Sequence, residues 1–82
     1  MANNPKHLET KINGITYYAV EQEPSHYNVS NSNAMFETNF LAMKHAQMNA
    51  LEIMTGCKVI DADYVPGTVD IMQAQVDCTK KP

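Results

Sequence analysis

Arginine and tryptophan are absent from this chain, and glycine occurs only three times. Without a guanidinium there is no planar fork to hold phosphate or carboxylate through two parallel bonds. Three isolated glycines make no phosphate-cradling loop. Positive charge is scarce too: six lysines against nine acidic side chains leave a net charge of −3. That balance excludes the basic patch of an electrostatic nucleic-acid binder. No apolar run approaches the roughly 18 residues of a membrane-spanning helix. Neither nucleic acid nor membrane insertion is expected. Cys57 and Cys78 have no C-x-x-C spacing and supply only half the ligands of a structural zinc site, so no metal or other cofactor is expected.

What is present suits a small folded domain. The 82 residues are 44% hydrophobic and 18% charged, too apolar for a disordered tail and short enough for one domain over 1–82. Residues 1–6 and 79–82 are expected to fray. So short a chain buries only about 60–65% of its unfolded surface, and small domains often add a disulfide, a metal or a second subunit. Met1-Ala2-Asn3-Asn4-Pro5 has neither a basic start nor an apolar stretch. That fits a native cytoplasmic start with free thiols, or a chain whose leader was removed and whose cysteines pair in an extracytoplasmic compartment.

Asn13-Gly14, between Ile12 and Ile15, is a strong hairpin signal because both turn residues must take positive φ. Strands over about 7–12 and 15–21 then set Ile12 opposite Ile15, Thr10 opposite Tyr17 and Leu8 opposite Ala19 on one face. Glu9, Lys11, Thr16, Tyr18 and Val20 fall on the other. Residues 22–33, rich in Ser and Asn and broken by Pro24, read as a long loop. The Asn28-Val29-Ser30 glycosylation triplet within it reads as a chance match.

From Ala34 to Thr55 the period is helical. Phe36, Met43, Ala46, Ala50 and Met54 share one side, flanked by Met35, Phe40, Leu51 and Ile53. Ser32 or Asn33 is the expected cap, and Gly56 the expected stop. Leu41 and Met48 fall on the polar side, Met48 as a contact residue. A second hairpin follows, with a four-residue connection over Pro66–Val69. It sets Cys57 opposite Cys78, Lys58 opposite Asp77 and Val59 opposite Val76. A cross-strand disulfide at Cys57 and Cys78 follows from that register. The expected architecture is α+β, a two-layer sandwich in ββαββ order, with one helix on a mostly antiparallel four-stranded sheet.

Candidate chemistry is sparse. His7, His26 and His45 share no spacing. His45 reads as a solvent-facing helix residue without the orienting partner a general base needs. Asp61 and Asp63 share a strand face but lie in no looped calcium motif. The best constellation is a surface. If the helix covers one sheet face, alternation sends Tyr18, Val20, Ile60, Ala62, Tyr64 and Ile71 to the other. A bulge near Pro66 would instead turn Tyr64 and Ile71 inward. Tyrosine combines area with a polar tip and is enriched at interfaces. The expected function is a non-catalytic binding or self-association module using this outer face at Tyr18, Val20, Ile60 and Tyr64, or an edge strand. Its partner would be a second copy in a homodimer, or another protein. Alternatives are a small inhibitor docking on a larger macromolecular machine, a structural accessory of an envelope or virion, and a small enzyme or ligand or metal carrier using His45 or Asp61 and Asp63.

Overall fold

The computed structural model describes residues 7–32, 39–67 and 71–82. Five strands and one helix follow in the order β1 His7–Ile12, β2 Ile15–Glu23, β3 His26–Asn31, α1 Phe40–Thr55, β4 Lys58–Tyr64 and β5 Met72–Asp77. The sheet order is β1-β2-β3-β5-β4, and every neighbouring pair is antiparallel. One helix on one sheet is the expected α+β layering. The sheet has five strands, not four.

The first hairpin forms as its turn chemistry dictates. Asn13 and Gly14 take φ of 53° and 81°, and the pairing runs Ile12↔Ile15, Thr10↔Tyr17 and Leu8↔Ala19. The extra strand is β3, within residues expected to be a loop. Pro24-Ser25 makes a two-residue turn, Ser25 sits at φ 68°, and Glu23 pairs with His26. Tyr27, Val29 and Asn31 then point to the core, while Asn28 and Ser30 alternate to the other side. Three core-facing positions in six residues anchor a strand whose Ser and Asn content hides it. The Asn28-Val29-Ser30 triplet therefore lies inside an interior strand rather than on a surface loop.

Helix α1 is capped by Asn39, whose Oδ1 accepts from the Ala42 N–H at 3.0 Å. Ser32 does not cap it. Its N–H donates to the Thr16 carbonyl at 2.9 Å, and its Oγ accepts from the Thr16 N–H at 3.2 Å, so it extends the β2–β3 ladder. Asn33, the other expected cap, and Met35 and Phe36 lie outside the described residues. At the other end Gly56 adopts φ 71° and its N–H donates to the Glu52 carbonyl at 2.8 Å, the expected stop. The buried stripe is Met43, Gln47, Ala50 and Leu51, a spacing of three and four residues. Met48 and Met54 pack against the core, so Met48 is no free contact residue. Ile53 is 57% exposed and Leu41 66%.

Buried Gln47 donates from Nε2 to Asn31 Oδ1 at 2.8 Å, pinning α1 to β3 with a polar contact that hydrophobic periodicity does not reveal. The core beneath is Ala19, Tyr27, Val29, Leu51, Cys57, Val59, Met72, Ala74 and Val76. Cys57 and Cys78 are disulfide bonded, with Cα atoms 4.3 Å apart. Lys58↔Asp77 and Val59↔Val76 pair as expected. Past β5 the Lys80 carbonyl accepts from the Lys58 N–H at 3.2 Å, and the Thr79 N–H and hydroxyl donate to Asp77 Oδ1.

Beyond Val59 the second hairpin departs from its expected register. Ile60 is an extra residue, and pairing resumes as Asp61↔Gln75, Ala62↔Ala74 and Tyr64↔Met72. A one-residue insertion sends every later side chain to the opposite face. Asp61 and Asp63 therefore point outward, while Ala62 and Tyr64 pack against the core under the helix. Tyr64 thus leaves the outer surface, and the cause is a bulge at Ile60 rather than near Pro66. Beyond it the Val65 N–H donates to the Ile71 carbonyl at 2.9 Å, and part of the expected Pro66–Val69 connection lies outside the described residues.

Candidate functional site: the helix-free sheet face

Helix α1 covers one face of the sheet, and the other face carries the candidate site. Tyr18 is there, 41% exposed, between Glu9 on β1 and Ser30 on β3. Val20 stands half-buried between His7 and Asn28. Ile60 is 49% exposed at the bulge, and Ile71 is half-buried. Three of the four expected contact residues thus face outward. They do not meet in one apolar patch: Tyr18 and Val20 lie on β2 and Ile60 lies across the sheet on β4. With Tyr64 and Ala62 turned inward, the intervening surface is polar.

Between them a groove of about 260 Å³ runs over β3, β5 and β4. Its polar lining comes from Gln22, Glu23, His26, Asn28, Asp61, Asp63, Gln73 and Gln75. The topology explains why these meet. Asn28 pairs with Gln73, and Gln73 in turn pairs with Asp63, so three strands contribute one row across the sheet. The next row is His26, Gln75 and Asp61. Glu23 and Gln22 enter from the end of β2, where a second irregularity between Glu21 and Glu23 shifts the strand.

The groove is rich in acceptors. Among the described residues three carboxylates, Glu23, Asp61 and Asp63, line it, and no lysine does. Asp63 Oδ1 accepts from the Tyr64 N–H at 2.9 Å, which fixes its rotamer. His26 Nδ1 lies 3.0 Å from the Pro24 carbonyl. Asn28 Oδ1 is buried with no hydrogen-bond partner among the described residues, an arrangement that costs free energy unless a donor reaches it. Among the described residues no group of three or more His, Cys, Asp or Glu side chains could hold a metal ion.

The remaining candidates are scattered. His45 is exposed on α1 in a shallow depression with Met48, Asn49, Glu52, Lys58 and Val59. Glu52 is committed there to structure, accepting from the Val59 N–H at 2.9 Å and tying α1 to β4. His7 lies on the edge strand β1, separated from His26 on β3 by β2. Among the described residues two ionisable groups are perturbed, Tyr27 at the groove wall and Asp77 away from it. Burial, reinforced by the Glu21 carboxylate, pushes the Tyr27 phenol up. Asp77 is held below the usual carboxylate range by hydrogen bonds from the Thr79 hydroxyl and N–H, at 2.6 and 2.9 Å.

Asn28, Gln73 and Gln75 were not among the candidates from sequence. Asn28 was hidden because its strand reads as a loop. The signal that could have found it is the alternation of Tyr27 and Val29 with Asn28 and Ser30, directly after a Pro-Ser turn. No family model matches this chain, and neither does any curated protein or solved structure. Among the described residues no helix is long and apolar enough to cross a membrane.

Proposed function

We propose that this protein is a small, disulfide-stapled, non-catalytic recognition module that binds a basic segment of a partner protein on the helix-free face of its sheet. The observation that carries this reading is the groove itself. Glu23, Asp61 and Asp63 converge with the amides of Gln22, Asn28, Gln73 and Gln75 on a rigid antiparallel scaffold. A lysine or arginine side chain supplies only donors, which matches the three carboxylates of the groove. Tyr18, Val20 and Ile60 lie on the same face as apolar contacts for the flanking peptide, consistent with interfaces that mix aromatic anchors and polar rims. The disulfide supports an oxidising, extracytoplasmic setting, where such bonds persist.

The test is a ¹⁵N NMR titration of the oxidised protein with a lysine-rich peptide and, separately, with a glutamate-rich peptide of equal length. Shifts that cluster at Asn28, Asp61, Asp63 and Gln73, appear only with the basic peptide and fade in high salt support the reading. An Asp61→Lys/Asp63→Lys protein should lose them while keeping its fold, because both side chains are exposed. No clustered shifts, or equal shifts with both peptides, would end it.

A further inference from the structure

The two edges of the sheet, β1 and β4, are built differently. β4 is interrupted by the Ile60 bulge and carries Asp61 and Asp63, devices that discourage another strand from pairing. β1 pairs with β2 through all six residues without a shift and contains no proline. The orientation of its outer backbone groups follows from the ladder. Thr16 N–H and C=O both bond toward Ser32, on the β3 side. Alternation then directs the groups of Ile15, Tyr17 and Ala19 toward β1, and those of their partners Leu8, Thr10 and Ile12 toward β2. The N–H and C=O groups of His7, Glu9 and Lys11 face outward from the sheet edge.

We propose that β1 is a homodimer interface, pairing antiparallel with β1 of a second copy about a two-fold axis at Thr10. The charge pattern selects both the partner and the register. Centred on Glu9, the pairing would oppose Glu9 to Glu9, and centred on Lys11, Lys11 to Lys11. Like charges directly opposite one another destabilise a sheet. Centred on Thr10, Glu9 of each copy meets Lys11 of the other, twice by symmetry, and both are exposed on the helix-free face. On the helix side the half-buried Leu8 meets Ile12 of the partner copy, and Thr10 meets Thr10. Every position from Leu8 to Ile12 is thereby matched in polarity with its counterpart, as an isologous interface requires.

This goes beyond the recognition reading and does not rest on it. The groove lies over β3, β5 and β4, away from the β1 edge. A two-fold axis perpendicular to the sheet would leave both grooves open on the same side of one continuous sheet. A partner carrying two basic segments would then be held by both copies, which raises avidity without new contacts.

The experiment is sedimentation equilibrium of the oxidised protein and of three charge variants, with circular dichroism as the check on folding. The wild-type chain should dimerise. Lys11→Glu should weaken its own dimer by about tenfold or more, as attractive cross-strand pairs become repulsive, and Glu9→Lys should do the same. An equimolar mixture of those two variants should form a heterodimer in preference to either homodimer. The double variant Glu9→Lys/Lys11→Glu should recover wild-type dimerisation. Glu9 and Lys11 amides should gain hydrogen-exchange protection with rising concentration. A wild-type chain monomeric at millimolar concentration overturns the proposal. So does a dimer indifferent to these exchanges, since another surface would then hold it. Either result leaves the peptide titration of the groove as a separate question.

Discussion

Reducing the Cys57–Cys78 bond should lower stability by about 3 kcal/mol, and most of the effect should arise in the unfolded chain. The bond closes a loop of sequence separation 21, for which the chain-entropy relation gives that magnitude. The folded state needs little from it. Lys58↔Asp77 and Val59↔Val76 already align the strand ends, and the Lys58 N–H bonds to the Lys80 carbonyl. A domain of this size has a total stability of about 4–12 kcal/mol. Loss of 3 kcal/mol should therefore lower Tm by about 12–24 °C without abolishing the fold of an averagely stable chain. The assay is paired thermal and urea denaturation of oxidised and reduced protein, with intact mass to verify each state. The urea slope should rise on reduction, because an uncrosslinked unfolded chain exposes more surface. An unchanged Tm in fully reduced protein would refute the reasoning. It would mean that the unfolded hairpin is already as constrained as the crosslink makes it. Cys57→Ala/Cys78→Ala should cost more than reduction, since Cys57 is buried in the core and its sulfur packing is lost as well.

Gln47→Ala should destabilise by about 2–4 kcal/mol, combining a lost buried hydrogen bond to Asn31 with a cavity between α1 and β3. Leu41→Ala, on the exposed side of the same helix, should stay within about 0.5 kcal/mol in the same urea assay. Asp77 gives a pH signature. Its carboxyl is depressed in the folded chain, first by the Thr79 hydroxyl, so its contribution is present above the unfolded value and is lost as pH falls through the folded one. Carboxyl NMR titration of Thr79→Val should show Asp77 moving back up toward the ordinary range, and an unmoved titration would remove the Thr79 hydroxyl as the cause.

Much of the local structure was legible from the residues. Asn13-Gly14 set the first hairpin and its register because both residues accept the positive φ of a type I′ turn, whose twist matches that of the strands it joins, and the observed angles agree. Gly56 ended the helix for the same stereochemical reason. The disulfide followed from the pairing of Lys58 with Asp77 and Val59 with Val76. The candidate site was legible only in part. Tyr18 and Ile60 were placed on the outer face, and Asp61 and Asp63 on a shared face, but the amides that join them in a groove were not found.

What tertiary structure alone decided involves residues whose conformation depends on distant neighbours. Residues 26–31 have poor intrinsic strand preference, and they pair because β2 on one side and β5 on the other satisfy their backbone groups. Gln47 lies in the core because Asn31, sixteen residues earlier, meets it there. Ile60 bulges out, and with a side-chain period of two, that single insertion exchanged the faces of Asp61 to Tyr64. Turn and cap stereochemistry acts over a few bonds and can be read directly from sequence. Strand pairing and register are set by the sum of contacts across the sheet, and so the position of the groove was decided only when the five strands came together.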